Sequence, residues 1–102
     1  MKQERLRVRR SSGNVFRDLG FPAHEAEHLV VRSNLMLRLE QEIKAQSLTQ
    51  AAAAARFGVS QPRVSNLLSG RIELFSTDTL IDMLARLGVR VRVVAAGRRK
   101  VA

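Results

Sequence analysis

Apolar residues recur at helical spacing in several stretches of the chain after Pro22. The longest stretch, roughly residues 24–46, predicts a helix with an apolar stripe on one face and a shorter stripe on another. The main stripe consists of Leu29, Leu35, Met36, Leu39 and Ile43, and the second of Ala26, Val30 and Leu37. A helix with two apolar faces has more surface to bury than one contact covers. We therefore expect it to be the central element of the fold.

Three shorter helices are predicted over about residues 50–57, 61–69 and 77–87. Polar residues that favour helix starts precede each of them, and glycines that favour left-handed stops follow. The starts are Thr49, Ser60 and Ser76, and the stops are Gly58, Gly70 and Gly88. Leu80, Leu84 and Leu87 of the last helix are expected to face inward. The pattern thus predicts a mainly α fold of four helices.

The segment Val89-Arg90-Val91-Arg92-Val93-Val94 alternates with period two and predicts a β-strand. A single strand leaves backbone groups unpaired, so it needs a partner. We favour the same strand of a second copy, in an antiparallel pair across a two-fold axis, with Val89, Val91 and Val93 towards the helices. The segment 6–9, which alternates likewise, and a strand from another protein are the alternatives.

Residues 1–23 show no helical period and contain turn signals. We interpret them as a basic arm with a short hydrophobic anchor at Val15, Phe16, Leu19 and Phe21. The predicted organisation is an arm over 1–23, a helical domain over 24–88, and a dimerisation strand with a basic tail over 89–102.

Residues 49–70 have the spacing of a helix-turn-helix unit. Two helices that meet through a tight turn need a small residue at the crossing, a glycine at the turn and aliphatic residues behind the second helix. Ala54, Gly58, Val59, Val64 and Leu67 occupy these positions. With these residues inward, the helix over 61–69 turns a polar face outward, formed by Gln61, Pro62, Arg63, Ser65, Asn66 and Ser69. Gln and Asn can pair with adenine edges, and Arg with guanine edges, in the major groove of DNA.

The charge distribution favours a polyanionic partner. The 102 residues carry a net charge of +9, and residues 48–70 contain two arginines and no acid. Gln50 and Ser60, at helix starts, and Arg71, just after the third helix, are placed to contact phosphates. The chain has no Trp or Tyr, which argues against stacking on single strands. Double-stranded DNA is the partner that this pattern predicts.

One motif points to a different chemistry. His24-Glu25-Ala26-Glu27-His28 matches the H-E-x-x-H zinc spacing. The sequence has no cysteine and no further histidine, and Glu40 and Glu42 lie about 18–27 Å along the same helix, too far to complete the site. We expect no metal, no cofactor and no enzymatic activity.

The sequence resembles the Cro/repressor-like, or XRE, family of helix-turn-helix regulators. The resemblance lies in Leu48–Ala51, Gly58–Ser65 and Leu68–Gly70, and the opening Ser11–Phe16 with the late strand is similar to HigA-like antitoxins. It implies a lambda repressor-like fold and a dimeric regulator on palindromic operators. It also implies that Gln50 holds phosphate, that Gln61 and Asn66 reach base edges, and that Ser60, Arg63 and Ser65 line the interface.

These observations favour a cytoplasmic, nucleoid-associated bacterial repressor that binds double-stranded DNA as a homodimer. The longest apolar run, Ala51–Ala55, is too short to cross a bilayer, so no membrane partner is expected. The alternative function is an antitoxin that chiefly neutralises a toxin protein, with DNA binding secondary. The second stripe of the long helix and the predicted anchor motivate that alternative.

Overall fold

The computed structural model of the chain describes residues 6–8 and 15–98. The remaining parts of the predicted arm and tail, including residues 9–14 and 99–102, lie outside the described residues. In chain order the elements are strand β1 (Leu6–Val8), helices α1 (Val15–Asp18), α2 (Ala23–Ala45), α3 (Gln50–Phe57) and α4 (Gln61–Leu68), a 3-10 turn (Ile72–Leu74), helix α5 (Thr77–Arg86) and strand β2 (Val91–Val93).

Helix α2 is the central element, as its two stripes predict. Its main stripe is almost entirely buried, with Leu35 and Leu39 fully inaccessible. The core joins it to α3, α4, α5 and the segment after α4, through Phe57, Val64 and Leu84 among others. The inward positions of Leu80, Leu84 and Leu87 are confirmed, since at most 5% of each is exposed.

Helix α1 is an element that the sequence did not predict. Its single turn packs on α2, and Gly20 follows it with a φ of 97°. The ring of Phe16 is half-buried and meets that of Phe21 edge-on, with 6.2 Å between centroids. Val15 and Leu19, also predicted as anchors, are 53% and 69% exposed. Four residues are too few to reveal a helical period, and contact with α2 rather than propensity stabilises so short a helix.

The partner of β2 within the chain is β1, in a parallel pair with Leu6 opposite Val91 and Val8 opposite Val93. This is one of the alternatives that the sequence left open, and not the favoured pairing with a second copy. Val89 is 5% exposed and Val91 is half-buried, whereas Val93 is 72% exposed. Val93 borders the same groove between α2 and α5 as Val91, but unlike Val89 it is not buried there. Residue 93 is the last residue of the short strand.

Candidate nucleic-acid interface

Helices α3 and α4 form a tightly capped pair. Thr49 Oγ1 accepts a hydrogen bond from the Ala52 amide at 3.0 Å, and Ser60 Oγ accepts one from the Arg63 amide at 3.3 Å. Gly58 adopts a left-handed conformation with φ 70° and ψ 34°. Its amide donates to the Ala55 carbonyl at 3.3 Å. These are the caps and the turn that the sequence predicted, and they fix where α4 begins.

The inner face of this pair is apolar and closely packed. Ala53 and Ala54 are 0% and 7% exposed, so the small side chains let α3 lie close to its neighbours. Phe57, Val64 and Leu67 are each at most 4% exposed, and Val59 packs against the same core from the turn. Because α4 buries one face in this way, its opposite face points outward.

The outer face of α4 is polar and accessible. Exposed residues occupy its first turn and recur along the helix, and Asn66 is half-buried beside them. The exposed set is Gln61, Pro62, Ser65 and Ser69. The amide groups of Gln61 and Asn66 carry the donor and acceptor pair that matches adenine, and a helix of this kind fits the major groove.

Arg63 is arranged differently from the other predicted contact residues. Its guanidinium carbon lies 4.1 Å from the centre of the Phe75 ring, and its Nη1 donates to the Leu74 carbonyl at 2.9 Å. The side chain is thus held against the segment after α4. Sequence reasoning placed Arg63 on the outward face and gave no role to Phe75. Proximity between residues 63 and 75 depends on how the chain returns after Gly70, which no local pattern encodes.

Gln50 and Ser60 lie at the starts of α3 and α4, and both are exposed. The first amides of a helix have no carbonyl partner within it and carry partial positive charge, which suits a phosphate. Ser60 Oγ already accepts a hydrogen bond from the Arg63 amide, and its hydroxyl can still donate a hydrogen bond to an anion. Gln50 extends its side chain from the first residue of α3.

Arg71 is exposed just beyond α4 and forms an ion pair with Glu73, with 3.0 Å between Nε and the carboxylate oxygen Oε2. The pKa of Glu73 lies below its usual 4.5, first because of a backbone hydrogen bond and second because of the hydrogen bond from Arg71. The carboxylate therefore stays ionised at neutral pH and competes with any phosphate for Arg71. The charge count alone did not indicate that Glu73 pairs with Arg71.

The two histidines of the H-E-x-x-H match lie at the start of α2, where His24 and His28 are exposed. Within residues 6–8 and 15–98, no three His, Cys, Asp or Glu side chains lie close enough together to hold a metal ion. The same part of the chain contains no helix long and apolar enough to cross a membrane.

Comparison with known proteins agrees with this geometry. The family model described as "Helix-turn-helix domain" matches residues 15–96. The chain belongs to this helix-turn-helix family. A solved structure of a protein described as an XRE family transcriptional regulator is 36% identical, with a TM-score of 0.69. The similarity covers 76% of this chain and 91% of that one. No curated protein sequence matches at a significant level.

The family and the solved structure support DNA-binding transcriptional regulation of the XRE type as the class of this helix-turn-helix protein. The match also extends over α1 and β2, so these elements belong to the same domain as the helix pair.

Proposed function

We propose that this protein is a sequence-specific repressor that binds a palindromic operator as a homodimer. The observation that carries the proposal is the outer face of α4, which is polar, accessible and free of acidic residues from Gln61 to Leu68. Gln61 and Asn66 read base edges, Ser65 and Ser69 lie beside them, and Gln50, Ser60 and Arg71 contact phosphates. Two copies of α4 about 34 Å apart would enter successive major grooves on one side of the duplex.

The homodimer is proposed to form at β2. One edge of β2 pairs with β1, and within residues 6–8 and 15–98 no third strand joins this sheet, so its outer edges are open to another strand. Beside β2, an apolar groove of about 310 Å³ runs between α2 and α5, bordered by Val31, Ile81, Val91 and Val93 among others. A second copy that pairs here would cover Val93 and part of this groove. Both the open edge and the exposed valine support this surface.

The test of the proposed function is selection from random duplexes, followed by gel shifts at two salt concentrations. A sequence-specific DNA-binding protein enriches one family of duplexes and binds it more tightly than random DNA. Its affinity for the selected duplex and for random DNA falls as the salt concentration rises. Inverted repeats in the enriched duplexes, spaced by about one helical turn, would support the dimer. Equal affinity for all duplexes would contradict sequence-specific regulation.

A second candidate function is that of an antitoxin, which binds a toxin protein and regulates DNA as a secondary role. The observation that favours it is an apolar surface around α1 and α2 that reaches the C-terminal end of α4. Val15, Leu19 and Leu37 are more than half exposed there. A groove of about 370 Å³ lies beside them, bordered by Phe16, Met36 and Leu68 among others.

Co-expression with the product of the adjacent gene tests the antitoxin candidate. A partner bound at the α1–α2 surface would co-purify with the wild-type chain and be lost from Leu37→Glu. A substitution on the α4 outer face, Ser65→Glu, would leave the partner bound and abolish DNA binding. If the wild-type chain retains no partner, the antitoxin candidate is contradicted, and if Leu37→Glu retains it, the α1–α2 surface is excluded as the binding site.

A further inference from the structure

Arg63 joins the first turn of α4 to the segment that leads into α5. It is the third residue of α4, its guanidinium lies on the Phe75 ring at 4.1 Å, and its Nη1 donates to the Leu74 carbonyl at 2.9 Å. A guanidinium can stack through its face and donate through its edge at the same time. Both contacts are made to consecutive residues, so Arg63 fixes α4 against one short stretch of chain.

That stretch is itself held in the core. Phe75 is 1% exposed and is among the largest fully buried side chains. Its carbonyl oxygen lies 3.5 Å from Nη1 of Arg32 on α2, at the outer limit of a hydrogen bond. Arg63 therefore attaches α4 to a part of the structure that rests on the central helix, and not to a loop that moves independently.

Helix α4 needs such an attachment because it is short. It has eight residues, and its buried side chains are Val64 and Leu67. These two lie on one face and resist separation of the helix from the core, but they resist rotation about the helix axis less well. Arg63 contacts the structure beside that face. Rotation of α4 would break its stacking and its hydrogen bond, and would move Gln61 and Ser65 together.

We propose that Arg63 is a positioning residue for DNA recognition: it sets the orientation of α4, and through it the base contacts of Gln61, Ser65 and Asn66. The inference deepens the proposed function and rests on it. In the free protein the guanidinium is engaged by Phe75 and Leu74, so its contribution to specificity is made through the helix and not at a base edge.

The experiment compares Arg63→Lys with the matched control Arg56→Lys on the selected duplex and on random DNA. Lysine keeps the charge but cannot both stack on Phe75 and donate in the plane of a guanidinium. Arg56 lies in α3 and likewise donates to a backbone carbonyl, that of Arg86, at 3.0 Å. For Arg63→Lys we expect about a tenfold loss on the selected duplex and less than about twofold on random DNA. For Arg56→Lys we expect less than about twofold on both.

Repeating the selection with Arg63→Lys separates positioning from direct reading. If α4 is misoriented, base preference weakens at several positions of each half-site at once, because Gln61, Ser65 and Asn66 move together. If Arg63 reads a base itself, preference weakens at one position, and the inference is overturned. Unchanged affinity and preference in Arg63→Lys would overturn it as well.

A double-mutant cycle with Phe75→Leu gives an independent measurement, with far-UV circular dichroism to verify folding. Positioning through Phe75 predicts that the double variant binds the selected duplex no more weakly than the weaker single variant. Losses that multiply would overturn the role of Phe75. If Phe75→Leu does not fold, Phe75→Met replaces it in the cycle, because methionine fills irregular space in a core without supplying a ring. If the wild-type chain enriches no duplex, the proposed function fails before this inference is reached.

Discussion

The left-handed conformation of Gly58 allows the effect of Gly58→Ala on the free energy of unfolding to be predicted from the backbone alone. Gly58 has φ 70° and ψ 34°, and a Cβ built there meets no heavy atom within 4 Å. Gly58→Ala therefore introduces no steric overlap with neighbouring residues. What it adds is the cost of a left-handed conformation for an L-residue, about 1–2 kcal/mol. Alanine also restricts the unfolded chain, which offsets about 0.4–1 kcal/mol of that cost.

The net expectation for Gly58→Ala is a loss of about 1 kcal/mol in the free energy of unfolding. In a domain of this size that loss lowers the Tm by about 4–8 °C. Urea unfolding followed by far-UV circular dichroism measures it, and the slope of the free energy with urea should stay unchanged because the surface exposed on unfolding is the same.

Gly58→Asn is the matched control. Asparagine is larger than alanine but adopts the left-handed conformation more readily, so it should destabilise less. Gly58→Val should destabilise most, because a β-branched residue is least compatible with positive φ. An order that follows side-chain size instead, with Asn worse than Ala, would refute the argument from backbone conformation. So would an alanine variant as stable as the wild type.

Four further predictions concern DNA binding, pH and assembly. Gln61→Ala and Asn66→Ala should each cost about 1–3 kcal/mol on the selected duplex and little on random DNA in gel shifts, and equal losses on both would contradict their role as readers. Arg71→Ala should weaken binding to all duplexes alike and reduce the salt dependence by about one phosphate contact. Because the folded-state pKa of Glu73 is lowered, its contribution to stability is complete above its ordinary value of 4.5 and is lost as pH falls through the folded pKa. Glu73→Gln should remove that part of the pH dependence of unfolding and strengthen DNA binding at neutral pH. If the proposed homodimer forms at β2, Val93→Lys should shift sedimentation from dimer to monomer while the far-UV spectrum is kept, and an unchanged dimer would exclude β2 as the interface.

The sequence alone determined the local structure of the motif. The polar caps Thr49 and Ser60 and the glycine at 58 act within one helical turn of themselves, through their own backbone conformation and through hydrogen bonds to amides three residues away. Helical periodicity likewise identified the buried faces of α2 and α5, because burial of a stripe is encoded in the spacing of the residues that form it. From these features the orientation of the polar face of α4 followed.

The tertiary structure alone decided what lies next to what across the chain. The contact of Arg63 with Phe75 and the packing of α1 on α2 join segments whose local patterns do not indicate each other. The parallel pairing of β2 with β1 selects one of the several partners that the alternating pattern left open. A pattern of apolar and polar residues predicts which side chains are buried. It does not predict which apolar helix faces will pack together or which strand edges will pair, because these contacts depend on the free energy of the whole packed core. For this reason the sequence predicted the polar outer face of α4 but gave no indication that Arg63 contacts Phe75 and Leu74.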